Sequence, residues 1–201
     1  MIAVTEFKNY TGPIDTDAAL RQVEAEAAET GKAPCISSYL QPDKMSADNF
    51  LLEEHKILWN YWDKLRRTDD IAAYDWINPA EFDKAIGYVL LMEPNESKTD
   101  FRYRVYGSRV ADRFGLEMTG KWVSSFDGVQ KILSISQYAL SATVRRPIYS
   151  EHTFSRVEYT KTLWCRLILP MQNTNGDIDR ILVGNIPVDF DIPVEVSRNS
   201  A

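Results

Sequence analysis

The chain has two cysteines, Cys35 and Cys165, and two histidines, His55 and His152. Ligands so few and so far apart exclude a Cys-x-x-Cys motif, a disulfide framework and the usual zinc or iron sites. Positive charge is not in excess either: 23 Lys and Arg stand against 29 Asp and Glu, a net charge of −6. An acidic chain without a basic run repels phosphate backbones, so neither nucleic acid nor an anionic membrane is an expected partner. The opening Met1–Tyr10 contains Glu6 and no long apolar run, so no signal peptide or membrane anchor is expected. Two lone thiols suit a reducing cytoplasm. The sequence also lacks GxSxG, a Gly-rich phosphate loop and a calcium loop, and pairs such as Glu53-Glu54 and Asp69-Asp70 suit solvated faces. No catalytic or metal-binding residue is assigned, and an enzyme is not expected.

What the chain does have is material for a core. Its 201 residues are 44% apolar and include five Trp, ten Tyr and eight Phe, enough for one domain plus an extension. Residues 1–45 read as an N-terminal arm: a turn at Gly12-Pro13, then a short Ala/Glu helix stopped by Gly31, with little apolar surface to bury. Residues 46–70 read as an amphipathic flanking helix, with Ser46 as N-cap and Lys64, Arg66 and Arg67 in the last turn. Leu51, His55, Leu58, Trp62 and Leu65 recur at helical spacing and form a narrow seam. That seam suits either packing on the helix's own domain or a dimer interface, and both readings stand.

Residues 71–190 change period. Tyr88–Met92 is apolar throughout, Glu93-Pro94-Asn95-Glu96 makes a turn, and Phe101–Tyr106 alternates, which together predict an antiparallel hairpin. Ser108–Phe114 is a short helix halted by Gly115, and a longer helix runs from about Asp127 to Arg146 before Pro147. Strands are expected over 148–155, 161–171 and 178–188, with a turn at Asn173–Asp177 and a fraying tail over 191–201. The order predicts an α+β fold: a five-stranded antiparallel sheet with helices on one face, preceded by the amphipathic helix.

The run from Tyr103 to Phe126, with Gly107, Gly115 and Gly120 at its breaks, resembles the strand-to-helix segment of PAS domains. The pattern is most similar to small stand-alone bacterial PAS-like proteins without an output domain. It is carried by Leu58–Leu65, Ile77-Asn-Pro79, Phe101–Gly107, Met118-Thr-Gly120 and Leu167-Ile-Leu-Pro170. The resemblance implies sensing or regulatory protein contacts; taken with the thiols and the helix seam, the expectation is a cytoplasmic domain acting through a small molecule, a signalling protein partner, or both, and a homodimer through the Ser46–Arg67 helix. It supplies no catalytic list. Flavin photochemistry in PAS relatives needs a cysteine after the first hairpin, and Phe101–Phe126 has none, so no cofactor is predicted.

If the sheet curls over the helices as in PAS folds, Tyr103, Val105, Cys165 and Leu167 face inward, and Phe114, Trp122, Ile132 and Tyr138 close from the helical side. This set either lines an apolar pocket for an unknown ligand or fills the core. Arg102, Arg104, Tyr106, Trp164 and Arg166 then lie on the other face. Inverted parity would make Arg104 and Arg166 the handles for an anionic ligand, since one bulge reverses a strand's faces. Two rivals remain: a protein-interaction module with a filled core, and an enzyme acting on an anionic substrate at those arginines.

Overall fold

The computed structural model describes residues 37–39, 45–50, 52–66, 71–74, 77–126, 129–157 and 160–191. The expected Ala/Glu helix, Cys35, Leu51 and the tail lie outside these residues. Strand β1 is Ser37–Tyr39, helix α1 is Glu53–Lys64 and strand β2 is Ala72–Ala73; a kinked 3-10 segment, Pro79–Tyr88, follows. The predicted hairpin is β3, Val89–Pro94, and β4, Phe101–Tyr106. Helices α2, Ser108–Phe114, and α3, Val129–Val144, lead into β5, Ile148–Val157, β6, Thr160–Gln172, and β7, Ile178–Asp191.

The five expected strands pair in the order β5-β6-β7-β3-β4, antiparallel throughout, and two short strands extend the sheet. β1 adds to the edge at β5, and β2 runs parallel to the end of β6 through Ala72 and Met171. Neither was expected, because three- and two-residue strands carry too little alternation to read. The turn from β4 into α2 depends on Gly107: a Cβ there would stand 2.4 Å from the Gly87 carbonyl oxygen.

Helices α2 and α3 cover one face of the sheet, as expected, and the amphipathic helix α1 covers the other. In β6, Arg166 reaches Ser134 and Gln137 of α3, while the neighbouring Cys165 and Leu167 point to the opposite face. α1 lies on that opposite face. Its Trp62 Nε1–H donates to the Pro170 carbonyl at 2.7 Å, and His55 Nε2 lies 3.1 Å from the Gly184 carbonyl oxygen. Tyr149, whose β-ladder partner is Leu167, stands edge-on to His55 with ring centroids 5.5 Å apart. His55, Leu58 and Trp62 are buried by this sheet within a single chain. The seam therefore packs on its own domain, and a second chain cannot reach these side chains without undocking the helix. The 3-10 segment braces α1 from its outer side, with Phe82 against Tyr61 at 4.9 Å and Asn78 N–H donating to the Tyr61 hydroxyl.

Gly184 is what lets α1 come so close. A Cβ there would meet Leu58 Cδ1 at 2.6 Å and the His55 ring at 3.0 Å. We expect Gly184→Ala to cost about 1–3 kcal/mol by overpacking. Urea denaturation of Gly184→Ala, Leu58→Ala and the double variant would show coupling between them, the double variant losing less than the sum.

Burial also makes α1 docking sensitive to pH. Loss of solvation pushes the His55 pKa down to about 4 from 6.5, opposed by backbone hydrogen bonds at Gly184 and Cys165. Around it, burial pushes the Cys165 thiol up to about 11 and the Tyr149 hydroxyl well above its ordinary value, so neither titrates in the acid range. The unfolded chain binds the His55 proton first as pH falls. This contribution to stability is complete above the unfolded value of 6.5 and is lost as pH falls towards 4. Between pH 7 and pH 5 the loss amounts to about 2 kcal/mol. Comparing urea midpoints at both pH values, wild type against His55→Gln, should show that part of the slope vanish in the variant.

Candidate functional site

The face of the sheet away from α1 forms a cavity together with α2, α3 and Phe126. The centre of a water-sized molecule can range over about 20 Å³ inside it, more than the roughly 10–15 Å³ that one water needs. A drug-sized ligand needs some hundreds of Å³, so the resting cavity suits something small.

Each element contributes for a local reason. A bulge in β4, with Arg104 the extra residue facing the Leu91–Met92 step of β3, sets Tyr106 opposite Leu90 and Tyr103 opposite Met92, so both tyrosines point inward despite their odd spacing. Their rings meet at 5.0 Å in a T-shape. α3 presents Leu133, Ser134 and Tyr138 at helical spacing, with Gln137 beside them. Phe114, at the end of α2, stacks on Trp164 of β6 at 4.7 Å, and Phe126 stands 6.1 Å from Tyr103. Phe114 and Phe126 are half-buried and the other aromatic walls are buried, so the entrance lies on their side.

The polar centre is Arg166, only 6% exposed. Its Nε–H donates to Asn185 Oδ1 at 3.0 Å; Nη1 donates to Ser134 Oγ at 3.2 Å and to Gln137 Oε1 at 3.0 Å. The Gln137 amide is turned the right way by its own Nε2–H, which donates to Ser150 Oγ. Every one of these acceptors is neutral. Among the described residues no carboxylate pairs with Arg166, and Nη2 has no hydrogen bond. Burying a cation costs several kcal/mol unless charge or hydrogen bonds compensate, and here only dipoles do. Tyr138, over whose ring the guanidinium lies at 5.8 Å, is fully buried; its hydroxyl makes no hydrogen bond of ordinary geometry, although Ser134 is near enough to oppose the rise that burial gives its pKa. Burial first, then the neighbouring phenols, raises the pKa of Tyr103 well above the ordinary value, with Arg166 pulling the other way. Burial raises Tyr106 and Tyr138 as well, so all three remain O–H donors.

Of the residues expected to line a pocket, Tyr103, Phe114 and Tyr138 do so. Val105 and Trp122 are surface residues, 41% and 37% exposed. Cys165 and Leu167 face α1, and the Ile132 side chain lies outside the described residues. The inward parity expected for β6 is thus reversed, and the handle alternative holds for one arginine of the two: Arg166 lines the cavity, whereas Arg104 sits outside at 3.6 Å from Glu93. Trp164 and Tyr106 move inward with this correction, and Leu90, Phe126, Leu133, Ser134 and Asn185 were not foreseen as lining residues. One signal was there to read. Ser134, Gln137 and Ser141 recur at helical spacing in α3, and all three are buried.

The domain is an α+β arrangement, a largely antiparallel sheet with helices on both faces and a small cavity against one of them. Among the described residues no group of three or more His, Cys, Asp or Glu is placed to hold a metal ion, and no helix is long and apolar enough to cross a membrane. A family model for the PAS domain matches residues 53–186, about two thirds of the chain, and the chain belongs to that family. PAS domains are generally non-catalytic sensory modules. Searches of curated proteins and of solved structures give no match.

Because the Tyr138 hydroxyl is buried without a hydrogen bond of ordinary geometry, removing it should relieve a desolvation cost. We expect Tyr138→Phe to leave stability unchanged or to raise it by up to about 1 kcal/mol. A urea midpoint lowered by more than that would mean the hydroxyl is hydrogen-bonded in the resting protein.

Proposed function

We propose that this PAS domain is a small-molecule-responsive regulatory module in the cytoplasm, with its ligand held in the cavity between the sheet and α3. One observation carries the reading: a buried cavity of mixed character, aromatic on its walls, with donors of Arg166 and Tyr138 unsatisfied at its centre. A core that served packing alone would have no use for unsatisfied polar atoms, which cost free energy. Occupancy is read out through α1, which shares β6 and β7 with the cavity and sits on their other face. A docked and an undocked arrangement of that helix would be the two states a ligand selects between.

A partner-docking role has its own support in four large apolar side chains left exposed, Ile86, Val105, Leu116 and Trp122. A homodimer or a signalling partner would use such surface, since the α1 seam is already covered. Among the described residues no carboxylate or histidine is hydrogen-bonded to Arg166, so the enzyme reading has no catalyst to name there.

Native mass spectrometry of freshly purified protein, alone and after incubation with a small-molecule cell extract, tests the ligand reading against the denatured mass. A reproducible non-covalent adduct is expected, lost in Ser134→Phe, whose ring would fill the cavity. A bare mass under both conditions, or an adduct that persists in a folded Ser134→Phe, overturns it.

A further inference from the structure

Arg166 is unusual in what it lacks. Its three hydrogen bonds engage Nε and Nη1 and end on neutral oxygens, which leaves both N–H groups of Nη2 unspent. Arg166 as a whole is buried by its own chain, without a carboxylate paired to it among the described residues. Close by, the Tyr138 hydroxyl is fully buried and makes no hydrogen bond of ordinary geometry, and Tyr138 lines the same cavity. Three donor hydrogens thus belong to two residues that line one small space, which among the described residues holds positive charge and no negative charge.

We propose that the cavity binds a small aliphatic carboxylate, its carboxylate group accepting from Nη2 of Arg166 and from the Tyr138 hydroxyl, its alkyl end against Leu90, Leu133 and Phe114. This inference rests on the ligand-binding reading above and narrows it to one chemical class. A carboxylate brings one negative charge and two oxygens, which match one guanidinium and three donor hydrogens. A phosphate dianion brings a second charge and more oxygens than the site has donors. A neutral amide brings an N–H2 group that would face donors only, and it leaves the buried cation unneutralised. Size points the same way: space for about 20 Å³ of movement of a water-sized centre suits a chain of a few carbons, not a ring system.

The test needs no knowledge of the natural ligand. 15N-labelled full-length protein is titrated at pH 7, with ionic strength held constant by chloride, using propionate and its near-isostere propionamide. The side-chain Nε–Hε resonance of Arg166, identified by its absence in Arg166→Lys, reports directly on the site. Propionate should shift it saturably, and propionamide should bind at least about tenfold more weakly, because only the carboxylate makes a charge-assisted hydrogen bond. Tyr138→Phe should weaken propionate by about three- to tenfold, the loss of one hydrogen bond. Arg166→Lys, which keeps the charge but not the fork and is followed by its backbone amide shifts, should weaken it by a similar factor. Propionamide binding as well as propionate would overturn the carboxylate assignment and leave the ligand-binding reading standing. A shift produced equally by chloride or inorganic phosphate would overturn it too. No response to either probe, together with a bare native mass, would remove both readings.

Discussion

Gly184 has no side chain, and α1 occupies the space where one would begin. Because Leu58 and His55 lie against that bare backbone, the helix closes one whole face of β6 and β7. A central strand covered on both sides must bury every residue it has, and residues 164–171 of β6 are all buried. A regular strand sends neighbours to opposite faces, so Cys165 and Leu167 go to α1, while Trp164 and Arg166 have nowhere to go but the cavity side. The guanidinium is inside because the helix is docked.

That forced burial explains the odd composition of α3. An apolar helix would have left Arg166 uncompensated. Ser134 and Gln137, one turn apart, supply its oxygens, and Ser150 on β5 sets the orientation of the Gln137 amide. Asn185, directly across the ladder from Arg166, holds the remaining edge. The network stops short of completion at Nη2 and at Tyr138. A half-satisfied polar network destabilises a core unless something else completes it, and its position against a water-sized cavity is where completion would come from.

Much of the architecture was legible in the sequence. Alternation in 101–106 and 161–171, the turn at Asn173–Asp177 and the helix between Ser108 and Gly115 are local signals, and the strands and helix lie where those signals put them. The identity of the inner face was not legible. Alternation fixes which residues share a face and is silent on which face is covered, and here both are covered, so apolar character could not decide. Cys165 and Leu167 look like core residues and are core residues, of the other core. Tyr103 and Tyr106 share the cavity through a bulge that no pattern in 101–106 announces. Val105 and Trp122 looked like core because large apolar side chains usually are, yet Val105 lies on the edge strand β4 and Trp122 in the segment bridged to it at Arg102, and both are exposed. The α1 seam was readable as a seam; what it faced depended on Gly184, some 120 residues away in sequence.

The two faces meet at adjacent residues of β7. The Gly184 carbonyl accepts from His55 on the α1 side, and the side chain of the next residue, Asn185, accepts from Arg166 on the cavity side. Any turn of the guanidinium towards an anion loosens its hold on Asn185, and the peptide carrying Asn185 also carries the acceptor for α1. A ligand shifts the helix only as far as its affinity differs between docked and undocked forms, and the same difference must act in reverse, so a helix pulled off Gly184 changes what the cavity binds. The pair Gly184-Asn185 is short, buried and made of one hydrogen bond in each direction. Coupling through it requires no long pathway, since a single strand separates the charge that needs a partner from the helix that can move.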